Sequence, residues 1–116
     1  MTIVWFLTLW SLGCDPAPQS AEEALQLSEQ ARMQPHEALA LCQNIQRDDL
    51  QQDCFADAAQ GLRGQFDTKE ALCGQLSGKK RGECYFQLAE DSDRVDLCPL
   101  ATPFETDCRL HILQRH

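Results

Sequence analysis

The chain has 116 residues, 43% of them hydrophobic, and a formal net charge of -8 at pH 7. That length suits one small domain, whose modest core leaves a large role for cross-links. The acid excess argues against nucleic-acid binding, which needs a basic face, and against holding anionic lipid through a polybasic patch.

Residues 1–13 carry no charged side chain, and Ile3 to Leu12 is apolar apart from Thr8 and Ser11. A run of that length is too short to span a bilayer, which takes about 20 apolar residues, but it matches the apolar core of a signal peptide. Both tryptophans, Trp5 and Trp10, fall inside it. The run ends at Ser11-Leu12-Gly13-Cys14. That segment resembles the bacterial lipobox, in which a small residue precedes the cysteine that becomes the lipidated N-terminus. Two features depart from the usual pattern: Ser11 stands where an aliphatic residue is normal, and no Lys or Arg lies near the start. The resemblance implies a signal peptide over 1–13, acylation at Cys14 and a membrane-held mature protein. Asp15, just after the cysteine, resembles the inner-membrane retention signal of enteric bacteria. Residues 14–20, with Pro16 and Pro18, then read as a short stiffened tether.

From residue 21 to 116 the pattern is helical. Ser20-x-x-Glu23 is a capping-box signature ahead of Ala24, Leu25 and Ala31. Pro35 suits the first turn of a second helix carrying Leu39, Cys42 and Ile45. Cys54, Phe55, Ala58, Ala59 and Leu62 form an apolar stripe at helical spacing. Asp67-x-x-Glu70 predicts the cap of the next helix, with Leu72, Cys73 and Leu76 on one side. Cys84, Tyr85, Leu88 and Ala89 repeat the stripe. Little alternates with period two, so strands are not expected.

Six cysteines divide into Cys42/Cys54, Cys73/Cys84 and Cys98/Cys108. Each first cysteine follows a leucine (Leu41, Leu72, Leu97), and each second follows an acid (Asp53, Glu83, Asp107). An apolar residue stands four positions after each second cysteine: Ala58, Leu88, Ile112. These matches make an internal repeat. On one continuous helix, each change in spacing would rotate the second cysteine by about 100°. A turn between the two cysteines absorbs the change. Ser77-Gly78, Gly82, Pro99 and Pro103 supply turn signals in the second and third units, and Arg47-Asp48-Asp49 a weaker one in the first. The expected fold is therefore all-α: three short helical hairpins, each closed by a disulfide, plus an N-terminal helix. Six cysteines permit fifteen pairings, of which the repeat favours the internal one. Free cysteines packed as small apolar residues are the alternative. Disulfide-rich small domains belong to oxidising compartments.

Signals for chemistry are sparse. His36, His111 and His116 are not spaced as metal ligands or as a triad, and there is no Cys-x-x-Cys. The cysteine spacings are too wide for a structural zinc site. Asp91, Asp93 and Asp96 read as loop and N-cap acids rather than a calcium loop. Cys98-x9-Cys108 resembles half of the twin CX9C pattern of small mitochondrial intermembrane-space proteins, but three unequal units replace its two matching halves. Tetratricopeptide units are longer, at 34 residues, and lack these cysteines. Gly78-Lys79-Lys80-Arg81-Gly82 is a basic cluster in an acidic chain and reads as a solvated hairpin tip. Lys79, Lys80 and Arg81 are the candidate binding residues, with Phe66, Phe86 and Phe104 as candidate aromatic contacts. No catalytic residue, metal site or cofactor is expected. The expectation is a lipid-anchored, non-enzymatic protein of the bacterial cell envelope that binds a protein or peptide through its helical repeats. A small ligand-binding or catalytic domain and a purely structural envelope protein are the alternatives.

Overall fold

A computed structural model describes residues 18–115. Cys14, the apolar leader and most of the tether, like His116, lie outside the described residues. Every regular element among the described residues is helical. In chain order they are α1 (Ala21–Met33), a 3-10 turn (Pro35–Glu37), α2 (Ala38–Gln43), α3 (Asp48–Gly61), α4 (Phe66–Gly74), α5 (Gly78–Ser92), a longer 3-10 segment (Val95–Ala101) and α6 (Glu105–Gln114).

The starts and stops follow local chemistry. Ser20 Oγ accepts from the Glu23 N–H at 3.1 Å, and Glu22 and Glu23 place negative charge on the first turn of α1. Gln34 ends α1 because the following Pro35 disfavours helical backbone before it. Pro35 then opens a 3-10 turn that runs directly into α2. α4 differs from the sequence expectation. It starts at Phe66 with Gln65 at the cap position and no side-chain cap bond, so Asp67 lies in the first turn, where it complements the helix dipole. α5 ends at Asp93, which takes the left-handed conformation (φ 56°, ψ 42°). An aspartate adopts that conformation more readily than most residues. Asp93 therefore terminates α5.

Three disulfides close three hairpins. Cys42–Cys54 joins α2 to α3, Cys73–Cys84 joins α4 to α5, and Cys98–Cys108 joins the long 3-10 segment to α6. The Cα atoms of each pair stand 5.6, 5.4 and 5.5 Å apart, in that order. A near-constant span across shrinking sequence separations of 12, 11 and 10 is what intervening turns permit. The third hairpin has a 3-10 first arm with Pro99 inside it, since proline breaks α-helical bonding but is tolerated in this short segment. Its turn includes a cis Thr102–Pro103 bond.

The hairpins stack in sequence. α1 packs on α2 and α3; α3 then packs on α4, and α5 on the long 3-10 segment and on α6. Glutamines bind this stack at its turns. Gln19 donates to Asn44 O at 3.0 Å and accepts from Gln46 N at 3.0 Å. Gln52 does the same one unit later, donating to Gln75 O at 3.0 Å and accepting from Ser77 N at 3.0 Å. The recipients are the second and fourth residues after Cys42 and after Cys73, so the two clamps are repeat-equivalent at the turn. At the third turn the register of Gln52, two residues before the second cysteine, is held by Gly82. A Cβ there would lie 2.2 Å from Thr102 O, so only glycine admits the approach of that turn to α5. The core is built from small residues. Among the described residues, twenty-two are buried core members, of which six are cysteine and seven are alanine, with Phe55 the largest side chain fully enclosed.

Candidate functional site

The basic cluster is not a hairpin tip. The turn of the second hairpin is 75–77, and Gly78 to Gly82 form the opening of α5. Two of the three cations are engaged by the protein itself. Lys80 pairs with Asp53 of the preceding hairpin, and the Arg81 guanidinium lies 5.3 Å from the centre of the Tyr85 ring. Lys79 is exposed. Lys80 therefore ties the second hairpin to the first, while Arg81 packs on its own helix.

Two of the three aromatic residues of the sequence reading, Phe86 and Phe104, meet elsewhere. Phe86, on α5, meets Phe104 edge-on with ring centres 6.3 Å apart, and meets the His111 ring at 5.3 Å. Phe86 and Phe104 line a surface groove of about 480 Å3 with Glu83, Gln87, Glu90 and Asp91. A second depression of about 470 Å3 adjoins it, sharing Gln87 and Asp91, and is lined by Phe66, Leu62, Arg63 and Lys69. A smaller one of about 180 Å3 continues past Gln87 and Glu83 to Gln60, Leu76 and Lys80. The groove system thus follows one face of α5, where Glu83, Gln87 and Glu90/Asp91 recur at helical spacing.

Its walls are held from both sides. Glu90 sits 3.4 Å from His111 Nδ1, and Arg115 donates to the Glu90 carbonyl at 2.8 Å. Lys69 is the buried charged side chain of the described residues, at 2% exposure. Its Nζ donates to Gln87 Oε1 at 3.1 Å and to Asp91 Oδ2 at 3.3 Å. Burying an ammonium is costly unless it is paired, and this pairing fixes the rotamers of two groove residues. The sequence reading did not single out Lys69. Its signal was register: it stands four residues before Cys73, where the first hairpin has the buried Ala38.

Chemically, the groove offers two aromatic rings packed edge to face, an amide and carboxylates on a rigid helix. That combination suits an aliphatic or aromatic group carrying positive charge. No group of His, Cys, Asp and Glu able to hold a metal ion occurs among the described residues. No helix among them is long and apolar enough to cross a membrane. All six cysteines of the three pairs are in disulfides, while Cys14, the expected lipidation site, lies outside the described residues. No family model matches the chain, and no curated protein or solved structure matches it either.

Proposed function

We propose that the protein is a lipid-anchored, non-enzymatic component of the bacterial cell envelope that binds a protein or peptide segment through the α5 groove. The observation that carries the binding reading is the Phe86–Phe104 pair facing a groove rimmed by Glu83, Glu90 and Asp91. Stacked helical hairpins present rigid side-chain surfaces of this kind and commonly use them for protein contacts. The partner segment carries basic and apolar side chains, which matches the groove and the net charge of -8. Three disulfides support folding in an oxidising compartment, and the apolar run ending at Cys14 supports delivery there and acylation.

Two measurements test this. Intact-mass analysis of the full chain expressed in a bacterium is expected to show loss of residues 1–13 and a diacylglycerol-sized gain, both abolished by Cys14→Ala. Selection from a displayed random-peptide library on the oxidised protein is expected to enrich peptides with basic and aromatic residues. Glu83→Lys, at an exposed position, is expected to abolish that enrichment, and Lys79→Glu to leave it intact. Enrichment without charge bias, or lost with Lys79→Glu alone, would move the site away from the groove.

A further inference from the structure

The two joints between hairpins can be compared position by position. At the first joint, Lys80 of the second hairpin pairs with Asp53 of the first. Asp53 stands one residue before the second cysteine of its hairpin, and Lys80 stands four residues before the next such cysteine, Cys84. The equivalent positions at the second joint are Glu83, one residue before Cys84, and Phe104, four residues before Cys108. Glu83 and Phe104 line the same groove, so these two registers meet at the second joint as well. The acid of the joint is kept there, while an aromatic ring stands at the register of the lysine.

The other carboxylates of the groove are already matched within the chain. Asp91 faces the Lys69 ammonium at 3.3 Å, and Glu90 lies 3.4 Å from His111 Nδ1 and 4.0 Å from the Arg115 guanidinium. Glu83 is exposed and takes part in no ion pair among the described residues. Beside it, the Phe86 and Phe104 rings are inclined at 73° with centres 6.3 Å apart, and both are only partly covered. The groove therefore holds one unmatched negative charge next to two rings. An exposed carboxylate alone holds an ammonium weakly. Ring faces attract a cation further, and a long aliphatic stem lies along apolar surface while its charged head stays in water.

We infer that the groove takes a single lysine side chain of the partner segment, with its ammonium on Glu83 and its alkyl stem along Phe104 and Phe86. The partner supplies at the second joint the lysine that Lys80 supplies from within the chain at the first. Glu83 and Phe104 are then the specificity-determining pair, while Glu90 and Asp91, whose charges are taken by His111, Arg115 and Lys69, hold the wall in shape. The inference rests on the α5 groove being a binding site. It adds which carboxylate reads the charge and what is read: one primary ammonium on an alkyl stem.

The test titrates n-butylammonium chloride, a lysine side chain without its backbone, into the oxidised, isotope-labelled full chain in a non-ionic detergent at constant ionic strength. Amide shifts that saturate are expected at Glu83, Phe86 and Phe104, and n-butanol is expected to give none that saturate. Glu83→Gln is expected to weaken the apparent affinity by roughly fivefold or more. Asp107→Asn, at the same register on α6 but outside the groove, is expected to leave it unchanged. A second arm needs no ligand. Phe104→Lys restores the lysine of the first joint, so in low salt it is expected to lower the urea midpoint less in the presence of Glu83 than in the Glu83→Gln background. Shifts that do not saturate, an equal response to n-butanol, indifference to Glu83→Gln, or equal cost of Phe104→Lys in both backgrounds each overturns the inference. If displayed peptides are still enriched on the groove after such a result, the groove remains the binding site and only the lysine assignment falls. Saturable butylammonium binding without any enriched peptide would keep Glu83 as the ammonium site and remove the peptide partner.

Discussion

Gly82 and Gly61 are both helical glycines, yet replacing them with alanine is expected to have opposite effects. Alanine in place of an exposed helical glycine gains about 0.5–1 kcal/mol from backbone entropy. At Gly61 no atom lies within 4 Å of the new Cβ, so Gly61→Ala is expected to raise the urea midpoint. At Gly82 the new carbon would be 2.2 Å from Thr102 O and 2.9 Å from Thr102 C, both backbone atoms of the third turn. Forcing those elements apart costs about 1–3 kcal/mol, which outweighs the entropy gain, so Gly82→Ala is expected to lower the midpoint. Lys69 gives a second paired comparison. Asp91→Ala removes one of the acceptors of its buried ammonium, leaving Gln87 Oε1, and is expected to cost about 1–2 kcal/mol, limited because Asp91 is half exposed. Lys69→Met removes the charge and keeps most of the volume, so it is expected to cost less than Asp91→Ala. A reversed order in denaturant titrations would mean that the pair contributes more than it costs to desolvate. Two exposed clips carry carboxyl groups shifted from their ordinary values. A hydrogen bond from Arg47 lowers the Asp49 carboxyl below its ordinary 3.8, and one from Arg94 does the same for Asp96. With folded values depressed, this stabilisation is present above 3.8 and is lost as pH falls through the lower folded values. NMR titration of the carboxyl carbons is expected to give midpoints below 3.8 for both, and Arg47→Ala to return Asp49 alone to the ordinary value.

Between hairpins, the joints depend on single side chains reaching across to a neighbouring turn. Gln52 satisfies Gln75 O, Ser77 N and the Ser77 hydroxyl from α3. Gln52→Ala is expected to cost about 1–2 kcal/mol, because it leaves turn groups without their partner. Hydrogen exchange is expected to speed up at residues 75–77 and to stay unchanged at 44–46, which Gln19 clamps. Uniform acceleration across both turns would argue that the clamp acts globally. These joints also mark where sequence reading stops. The hairpins, their pairing and the buried stripes follow from spacing, because a varying interval between cysteines is compatible with constant facing only across a turn. The start of α4 does not follow from spacing. Asp67 has the composition of a cap, yet the helix begins at Phe66, two residues before an Asp67 cap would start it. The Lys79–Arg81 cluster carries a loop-like glycine on each side. Gly78 opens the helix with a positive φ of 60°, and Gly82 serves close packing, so neither glycine marks a loop. The Phe86–Phe104 groove was legible only as separate exposed aromatics. Its assembly depends on how the third hairpin folds back on α5, which no local pattern encodes.

At the scale of the molecule, stability rests on an unusual division of labour between core and cross-links. Among the described residues, thirteen of twenty-two buried core members are cysteine or alanine, and the fully enclosed large side chains are few: Phe55, Ile45, Leu72 and Leu88. Small residues allow helices to approach closely, but each buries little apolar area, and burial stabilises by about 25 cal/mol per Å2. The disulfides compensate by restricting the unfolded chain. Loops of 12, 11 and 10 residues correspond to roughly 3 kcal/mol each in the chain-entropy treatment. Three such bridges together are comparable to the whole ~5–15 kcal/mol that holds a typical domain. Reduction is therefore expected to take the protein close to the point where folded and unfolded forms are equally populated. In dithiothreitol at 25 °C, far-ultraviolet circular dichroism is expected to show a large loss of helix, and the urea transition is expected to move toward zero denaturant. Removing single bridges separates the contributions. Replacing Cys98 and Cys108 with alanine releases the end hairpin, which has a neighbour on one side only, so exchange is expected to accelerate mainly beyond residue 94. Replacing Cys73 and Cys84 loosens the hairpin on which both others lean, so exchange is expected to accelerate throughout. Retention of full helix content after complete reduction would show that close packing alone sustains the stack and that the bridges are dispensable to it.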